Sequence, residues 1–304
     1  MLGTVGAAEG SEGGSSGRVQ ALDFQRSSFP LARLPASELP FYNYPIPGLP
    51  LSWTPTDVDG IAMREWEDGR LYYHPVQLAS YSFRLLSAYR KTGDAGYLDW
   101  ARRYAAKIRS LAVESGGALF LPYQFDYPRH ELRAPWYSGM AQGMILSLFV
   151  RMHRITGEAD YLAWAKAIFA SFWRSGPDDR PWVSRVSARR YLWIEEYPVN
   201  AHPDRVLNGF MFAIYGLYEY WKLTGSSGGR RILEGALTTL KAHVMLYRVP
   251  GDTSYYCLYH RTNTAENYHS LHISQLDQIA AMSGDAYFAS VAELFRRDHA
   301  PIWR

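Results

Sequence analysis

The sequence contains a single cysteine, Cys257, among its 304 residues. One thiol excludes an intramolecular disulfide framework and a cysteine-based metal cluster. The formal net charge of +3 is too close to neutral to indicate a nucleic-acid-binding protein. Long apolar runs are also lacking. The longest, residues 210–221, is interrupted by Gly216 and Glu219, and a membrane-spanning helix needs about 20 apolar residues.

The N-terminus, MLGTVGAAEGSEGGSSGR, has neither a basic start nor an apolar core, so no intact signal peptide is predicted and the compartment is left open. Residues 1–26 are predicted to form a flexible Gly/Ser-rich tail. Residues 27–75 are rich in proline and aromatic residues, and proline disfavours helix. We therefore expect an extended arm there, with a β-hairpin whose turn is formed by Asp68 and Gly69.

Four similar segments recur from residue 91 onward, each with a helix end, a glycine, a polar turn and a new helix. Their glycines are Gly93, Gly157, Gly225 and Gly284, so the period is about sixty residues. Glycine suits the left-handed position that closes a helix, and the polar residue after it suits the next helix start. The repeat predicts an all-α fold over residues 76–304, an (α/α) barrel or toroid of about four helical hairpins. An irregular all-α domain is the less favoured alternative.

Three long segments separate the helical hairpins, at residues 113–137, 174–206 and 246–270. In a toroid such segments gather at one end, around the mouth of the central cavity, and loops on a rigid scaffold usually carry function. The chain has 23 Tyr, 10 Trp and 13 Phe. Aromatic rings of this kind cover sugar faces as well as filling helical cores, so the composition mildly favours a carbohydrate ligand.

The first two long segments contain candidate site residues. In APWYSGMAQG, the residues Trp136, Tyr137 and Gln142 form either a sugar platform or the packed entry of a helix, and both interpretations stay open. In YLWIEEYP, Glu196 and Tyr197 place a carboxylate beside a phenol within an aromatic stretch. Glycoside hydrolysis needs two carboxylates across one bond, and the adjacent glutamates do not supply that arrangement.

The third segment, DTSYYCLYHRTNTAENYHSLHISQL, is the densest in polar and aromatic groups. His269 and His272 are spaced to share one helix face, but a third ligand at a usual spacing is absent, so neither a metal nor a cofactor is predicted. Abstraction of the C5 proton of a uronic acid requires a base, an opposite donor and neutralisation of the carboxylate. Tyrosine serves as donor or acceptor, which directs attention to Tyr256 and Tyr268.

The sequence resembles the C-terminal helical domain of the D-glucuronyl C5-epimerases, the enzymes of heparan sulfate and heparin maturation. The resemblance is carried, in the same order, by YHPVQLASY, PWYSGMAQG, EEYP…VLNGFM, YCLYH and YHSLHISQL, and it spans roughly residues 73–276. Two departures are visible. The arginine of the family's YDLRH motif is Tyr259 here, for which Arg261 is a candidate substitute. The β-rich domain of the heparan sulfate enzymes is missing between Gln77 and Trp136.

This resemblance implies an (α/α) barrel that converts D-glucuronate to L-iduronate within a polysaccharide such as heparosan. Its implied catalytic residues are Glu196, Tyr197, Tyr256 and Tyr268, with Tyr255 as a one-residue alternative to Tyr256. The candidate substrate-binding residues are Trp136, Tyr137, Gln142, Asn208, His260, Arg261, His269 and His272. A homodimer is suggested by the family as well. The alternatives are a polysaccharide lyase, which uses the same C5 carbanion, and a non-catalytic glycan-binding module.

Overall fold

The computed structural model describes residues 22–49, 51–53, 55–199 and 201–302. In these ranges eight α-helices form four antiparallel hairpins, as the repeat predicts. The helices are α1 (Pro75–Thr92), α2 (Ala95–Leu111), α3 (Gly139–Thr156), α4 (Ala159–Ala170), α5 (Leu207–Thr224), α6 (Ser227–His243), α7 (Glu266–Ser283) and α8 (Ala286–Asp298). The predicted (α/α) toroid of four hairpins is therefore confirmed. The predicted tail lies mostly outside the described residues.

The recurring glycine closes the first helix of every hairpin. Gly93, Gly157, Gly225 and Gly284 all adopt left-handed backbone conformations, with φ between 63° and 74°. Each donates its backbone N–H to the carbonyl four residues earlier, for example Gly93 to Tyr89 at 2.8 Å. In three of the four hairpins a polar side chain then caps the next helix. The local sequence therefore sets the hairpin turns directly.

The first helices of the hairpins, α1, α3, α5 and α7, pack against one another in series and form the inner layer. Helices α3 and α5 are buried over most of their length. Their backbones touch at two glycines: a Cβ at Gly143 would lie 2.4 Å from the Ala213 Cα, and a Cβ at Gly216 would lie 2.1 Å from the Gly143 carbonyl oxygen. The atoms nearest to both glycines belong to the backbone, which cannot move aside as a side chain can. The absence of a side chain at these positions therefore permits the close approach of the two helices.

Replacing Gly216 by Ala is expected to lower the free energy of unfolding by about 2–4 kcal/mol, because the added methyl must push two helix backbones apart. Urea unfolding followed by circular dichroism measures the change. Gly228→Ala is the matched control. Gly228 also lies in a helix, and a Cβ there would have no atom closer than 3.7 Å. Equal stability of the two variants would contradict this account of the α3–α5 contact.

The N-terminal arm lies across the helical body in extended conformation, with one short 3₁₀ turn at Ala36–Glu38. Ala32 donates its N–H to the Met282 carbonyl at 3.0 Å, and the Phe41 ring stacks on Phe83 and Phe212 at centroid distances of 4.6 and 5.5 Å. The arm thus packs against the inner helices α1, α5 and α7. The division of the chain at residues 27–75 and 76–304 stays a prediction.

The arm ends in a β-hairpin formed by β1 (Arg64–Glu65) and β2 (Leu71–Tyr72), where Gly69 has a φ of 74°. Three more two-stranded hairpins lie in the segments between the helix pairs. They pair β3 (Val113–Ser115) with β4 (Ala118–Phe120), β5 (Pro122–Tyr123) with β6 (Trp136–Tyr137), and β7 (Ser184–Val186) with β8 (Leu192–Ile194). Among the described helices, none has the length and apolarity that crossing a bilayer requires.

Candidate active site

The three long segments between the helix pairs meet at one end of the toroid in a cluster of tyrosines. The Tyr127 and Tyr197 ring centroids are 5.6 Å apart, and the hydroxyls of Tyr197 and Tyr256 are 3.3 Å apart. The Tyr256 and Tyr268 rings meet edge to face at 5.5 Å. Phenols from positions far apart in the sequence therefore line one site, which we call the tyrosine cluster: Tyr127, Tyr197, Tyr256 and Tyr268.

Backbone hydrogen bonds fix the segments that carry these tyrosines. Strand β8 leads into Glu195, whose N–H donates to the Val183 carbonyl and whose carbonyl accepts from Gly139 at the start of α3, both at 2.8 Å. The Tyr256 carbonyl accepts from the N–H of Leu207 at the start of α5, at 3.1 Å. Tyr268 lies in the first turn of α7. The site is thus tied to the ends of three inner helices.

Glu196 lies within the tyrosine cluster and is almost enclosed, with 8% of its surface exposed. Its Oε2 atom has no hydrogen-bond partner among the described residues and sits against Gly209, where a Cβ would lie 2.1 Å away. Burial raises the pKa of the Glu196 carboxyl to about 7, although the nearby Tyr197 and Tyr256 phenols act to lower it. A carboxyl of this kind exchanges protons near neutral pH.

The phenols of the cluster are proton donors at rest. Burial raises the pKa values of Tyr197 and Tyr256 well above the ordinary value, and the Glu196 charge raises them further. Burial also raises the pKa of Tyr268, which nevertheless keeps 39% of its surface exposed. Tyr268 is therefore the most exposed of the four phenols, and Glu196 is the carboxyl that lies among them.

A histidine–aspartate pair lies behind Tyr197. His130 Nδ1 is 2.5 Å from the Asp204 Oδ2, and the His130 ring stacks on Tyr197 at a centroid distance of 3.8 Å. Asp204 is fully buried, and a second imidazole, that of His202, lies 3.6 Å from its other oxygen. This pair was not predicted from the sequence. A buried carboxylate needs a partner, but the partner here is 74 residues away in a segment without a motif.

Residues 118–297 match the family described as D-glucuronyl C5-epimerase C-terminus. That range is more than half of the chain and contains the whole tyrosine cluster. The chain belongs to this family. A D-glucuronyl C5-epimerase from Caenorhabditis elegans is 25% identical over 196 residues, which are 58% of this chain and 31% of that protein. The chain therefore spans about a third of the length of this curated relative.

Solved structures show the same helical fold at low sequence identity. Cellobiose 2-epimerase from Bacillus thermoamylovorans has a TM-score of 0.52 and 11% identity, over 73% of this chain and 58% of that one. Unsaturated glucuronyl hydrolase from Bacillus sp. GL1 has a TM-score of 0.50 and 14% identity, over 73% of this chain and 60% of that one. At such identities these proteins support the fold alone.

Two histidines of the motif YHSLHISQL do not reach the surface of this member of the D-glucuronyl C5-epimerase C-terminus family. His269 and His272 are 1% and 0% exposed, and both bond to Ser254 through Nδ1. Burial lowers the pKa of His272 to about 3 and also lowers that of His269. In the structure both are enclosed residues whose hydrogen bonds join Ser254 to α7, and their predicted contact with substrate stays a prediction.

Gln142 is likewise a structural residue. Its side chain is fully buried, accepts from the Leu121 N–H at 3.0 Å and donates to the Leu119 carbonyl and Ser171 hydroxyl at 2.7 and 2.8 Å. Its predicted contact with substrate stays a prediction. Its amide joins strand β4 to the region that follows α4.

Trp136 and Tyr137 lie at the edge of a cavity beside the tyrosine cluster. Trp136 is 6% exposed, stacks on Tyr123 at 3.9 Å and donates its indole N–H to the Phe125 carbonyl. The more exposed Tyr137 borders, with Trp182 and Arg180, a cavity of ≈ 600 Å³. A sugar-binding role for this pair stays a prediction, and most of the Trp136 ring serves packing.

Three predicted binding residues lie in different environments. Asn208 is 3% exposed, with an Oδ1 atom that has no partner in the described chain. The His260 side chain is 40% exposed and lies 3.9 Å from the Asp204 Oδ1. Arg261 is exposed on a turn, has a φ of 49°, and forms no ion pair with another described residue. Tyr255, the alternative to Tyr256, pairs with Asn263 through its backbone in an isolated antiparallel β-bridge.

Glu195 is a second buried carboxyl next to the catalytic candidate Glu196, so the two residues can be compared. It is 1% exposed, its Oε2 accepts from the Arg205 N–H at 3.1 Å, and its Oε1 has no described partner. Burial raises its pKa to about 7, against the lowering effects of the Arg205 N–H and the Arg185 and Arg205 charges. The carboxylate form is therefore less stable in the folded protein than in the unfolded chain.

Glu195→Gln is expected to raise the free energy of unfolding by about 1–3 kcal/mol at about pH 8, with little change at about pH 4. The folded-state pKa lies above the unfolded value of 4.5, so the stabilising contribution is complete below 4.5 and is lost as the pH rises through about 7. Urea unfolding at both pH values measures this. A stability gain that is equal at the two pH values would contradict the assignment.

Proposed function

We propose that the chain is a glucuronyl C5-epimerase that converts D-glucuronate to L-iduronate within a polysaccharide, with heparosan as the first substrate to test. The observation that carries the proposal is the tyrosine cluster arranged around Glu196, whose pKa is raised by burial to about 7. Family membership and the name of the Caenorhabditis elegans relative support a glucuronyl substrate.

In the proposed reaction, ionised Glu196 accepts the phenolic proton of Tyr256, and the resulting phenolate removes the C5 proton. The electron pair of the C5–H bond moves into the uronate carboxyl group and forms an enolate-like intermediate. Tyr268 then donates its proton to C5 from the opposite face of the ring, which inverts the centre. No atom is oxidised or reduced. Since Tyr268 is exposed, solvent can replace the proton it has given.

Tyr197 assists this exchange by hydrogen bonding to the hydroxyl of Tyr256. Its hydroxyl is 3.3 Å from that of Tyr256, and its ring is held by the stacked His130. Asn208 and His260 are proposed to bind substrate hydroxyls, because each presents polar atoms near the cluster. The homodimer that the family resemblance suggests stays a prediction.

A polysaccharide lyase forms the same C5 carbanion and then expels the substituent at C4. Product analysis of heparosan after incubation with the protein separates the two activities. Iduronate in a polymer of unchanged length supports the epimerase. Shortened chains with an ultraviolet-absorbing unsaturated end would replace the proposal with a lyase. Binding of heparosan without either product would indicate a glycan-binding module.

A further inference from the structure

Removal of a proton adjacent to a carboxylate places a second negative charge on that carboxyl group, so a cation is needed beside it. The arginine of the family's YDLRH motif is replaced by Tyr259, whose ring stacks on His202 at 3.7 Å. Arg261 lies on an exposed turn and contacts Cys257 through its backbone. Among the described residues the Arg261 side chain forms no hydrogen bond, ion pair or cation–π contact with the tyrosine cluster, and its role as the cation stays a prediction.

The β1–β2 hairpin brings an arginine to the site from outside the matched range 118–297. Its Trp66 stacks on Phe125 at 3.8 Å, meets Tyr127 of the tyrosine cluster edge-on at 5.4 Å, and donates its indole N–H to the Asp126 carbonyl at 3.0 Å. Two aromatic contacts and one hydrogen bond thus anchor the hairpin to the wall of the site.

Arg64 lies on this anchored hairpin with its guanidinium 5.5 Å from the centre of the Trp66 ring. It is exposed, and it forms neither an ion pair nor a side-chain hydrogen bond with any residue that the structure describes. Burial raises the pKa of Tyr268, and the Arg64 charge acts in the opposite direction on that phenol. Because the Trp66 ring that carries the guanidinium also meets Tyr127 at 5.4 Å, Arg64 lies next to the tyrosine cluster.

We propose that Arg64 binds the carboxylate of the uronate residue whose C5 proton is exchanged. The inference rests on the proposed function and extends it by assigning substrate recognition to the N-terminal arm. A planar guanidinium binds a carboxylate through two parallel hydrogen bonds, which also fixes the orientation of the sugar ring. The Trp66 face beneath it holds the guanidinium in place by a cation–π contact.

Arg129 is the competing cation, because it is exposed, immediately precedes His130, and its charge acts on Tyr127. The Arg64 guanidinium lies over the anchored Trp66 ring, whereas the Arg129 side chain has no hydrogen bond, ion pair or cation–π contact with another described residue. Tyr268 is the exposed phenol that the substrate must reach. The geometry therefore favours Arg64, and the two arginines are separated by experiment.

The test compares Arg64→Gln, Arg64→Lys and Arg129→Gln with Arg70→Gln, an exposed arginine at the turn of the same hairpin. Affinity is measured by calorimetry for heparosan and for heparosan whose carboxyls have been reduced to alcohols, and exchange at C5 is measured by NMR. Arg64→Gln should weaken heparosan binding and lower kcat/KM by about 10–100-fold. Arg64→Lys should recover part of the loss, and Arg70→Gln should match the unsubstituted protein.

Binding of the carboxyl-reduced polymer should be equal for the unsubstituted protein and Arg64→Gln, because the partner of the guanidinium has been removed. Equal heparosan affinity for Arg64→Gln and Arg70→Gln would overturn the inference, as would a carboxyl-dependent loss confined to Arg129→Gln. Absence of C5 exchange in the unsubstituted protein would instead count against the proposed function. The binding comparison still reports on Arg64 in that case.

Discussion

Replacing Tyr268 by Phe is expected to lower the rate of C5 proton exchange by about 10²–10⁴-fold while leaving the affinity for heparosan nearly unchanged. The substitution removes the phenolic proton donor and keeps the ring that packs edge-on against Tyr256. Because 39% of the residue is exposed, loss of its hydroxyl leaves no buried polar group without a partner. Deuterium exchange measured by NMR, together with calorimetric binding, gives both quantities.

Tyr287→Phe is the matched control for this experiment. Tyr287 lies on the outer helix α8, is partly exposed and is far in the fold from the tyrosine cluster. Its loss of a hydroxyl should change neither exchange nor binding. If Tyr268→Phe exchanged the C5 proton as fast as Tyr287→Phe, Tyr268 would not be the donor. If it lost binding and exchange together, it would be a binding residue.

Glu196→Gln is expected to reduce C5 exchange by about 10²–10³-fold, since the amide cannot accept the proton that the Tyr256 phenol gives up. In the unsubstituted protein kcat/KM should rise with pH through about 7, as the buried carboxyl ionises. The residual activity of the variant should lack that rise. A pH–rate profile of both proteins over the neutral range measures the difference.

The stability of the Glu196→Gln variant distinguishes a loss of catalysis from a loss of folding. The folded-state pKa of Glu196 lies above its unfolded value of 4.5, so its contribution to stability is present below 4.5 and is lost as the pH rises through about 7. Glu196→Gln should therefore be more stable than the unsubstituted protein above neutral pH, yet nearly inactive. Glu195→Gln should gain stability in the same way and keep its exchange activity. Loss of exchange in both variants would contradict a specific role for Glu196.

The repeat and its glycines predict the helical scaffold because their information is local. A glycine such as Gly157 needs only its own φ of 74° to end a helix, and the following helix is predicted by periodicity. The β5–β6 and β7–β8 pairs have strands of two or three residues, too short for an alternating pattern to appear. The sequence therefore predicts loops at these positions.

The sequence motifs identify candidate site residues, but they do not show which of these residues are buried. Glu196, Tyr197, Tyr256 and Tyr268 lie in motifs, and the structure brings them together. Gln142 and His272 lie in the same motifs with the same polar chemistry, but they are enclosed by protein. The His130–Asp204 pair and Arg64 depend on contacts between distant segments, which a single sequence does not reveal.

The central claim is that this fold exchanges the C5 proton of a glucuronate residue with solvent. Heparosan incubated with the protein in deuterium oxide, followed by NMR of the polymer, tests that claim most directly. We predict deuterium at C5 in both glucuronate and newly formed iduronate, in chains of unchanged length. A polymer that remains free of C5 deuterium and of iduronate, under conditions in which the protein binds it, would contradict the account.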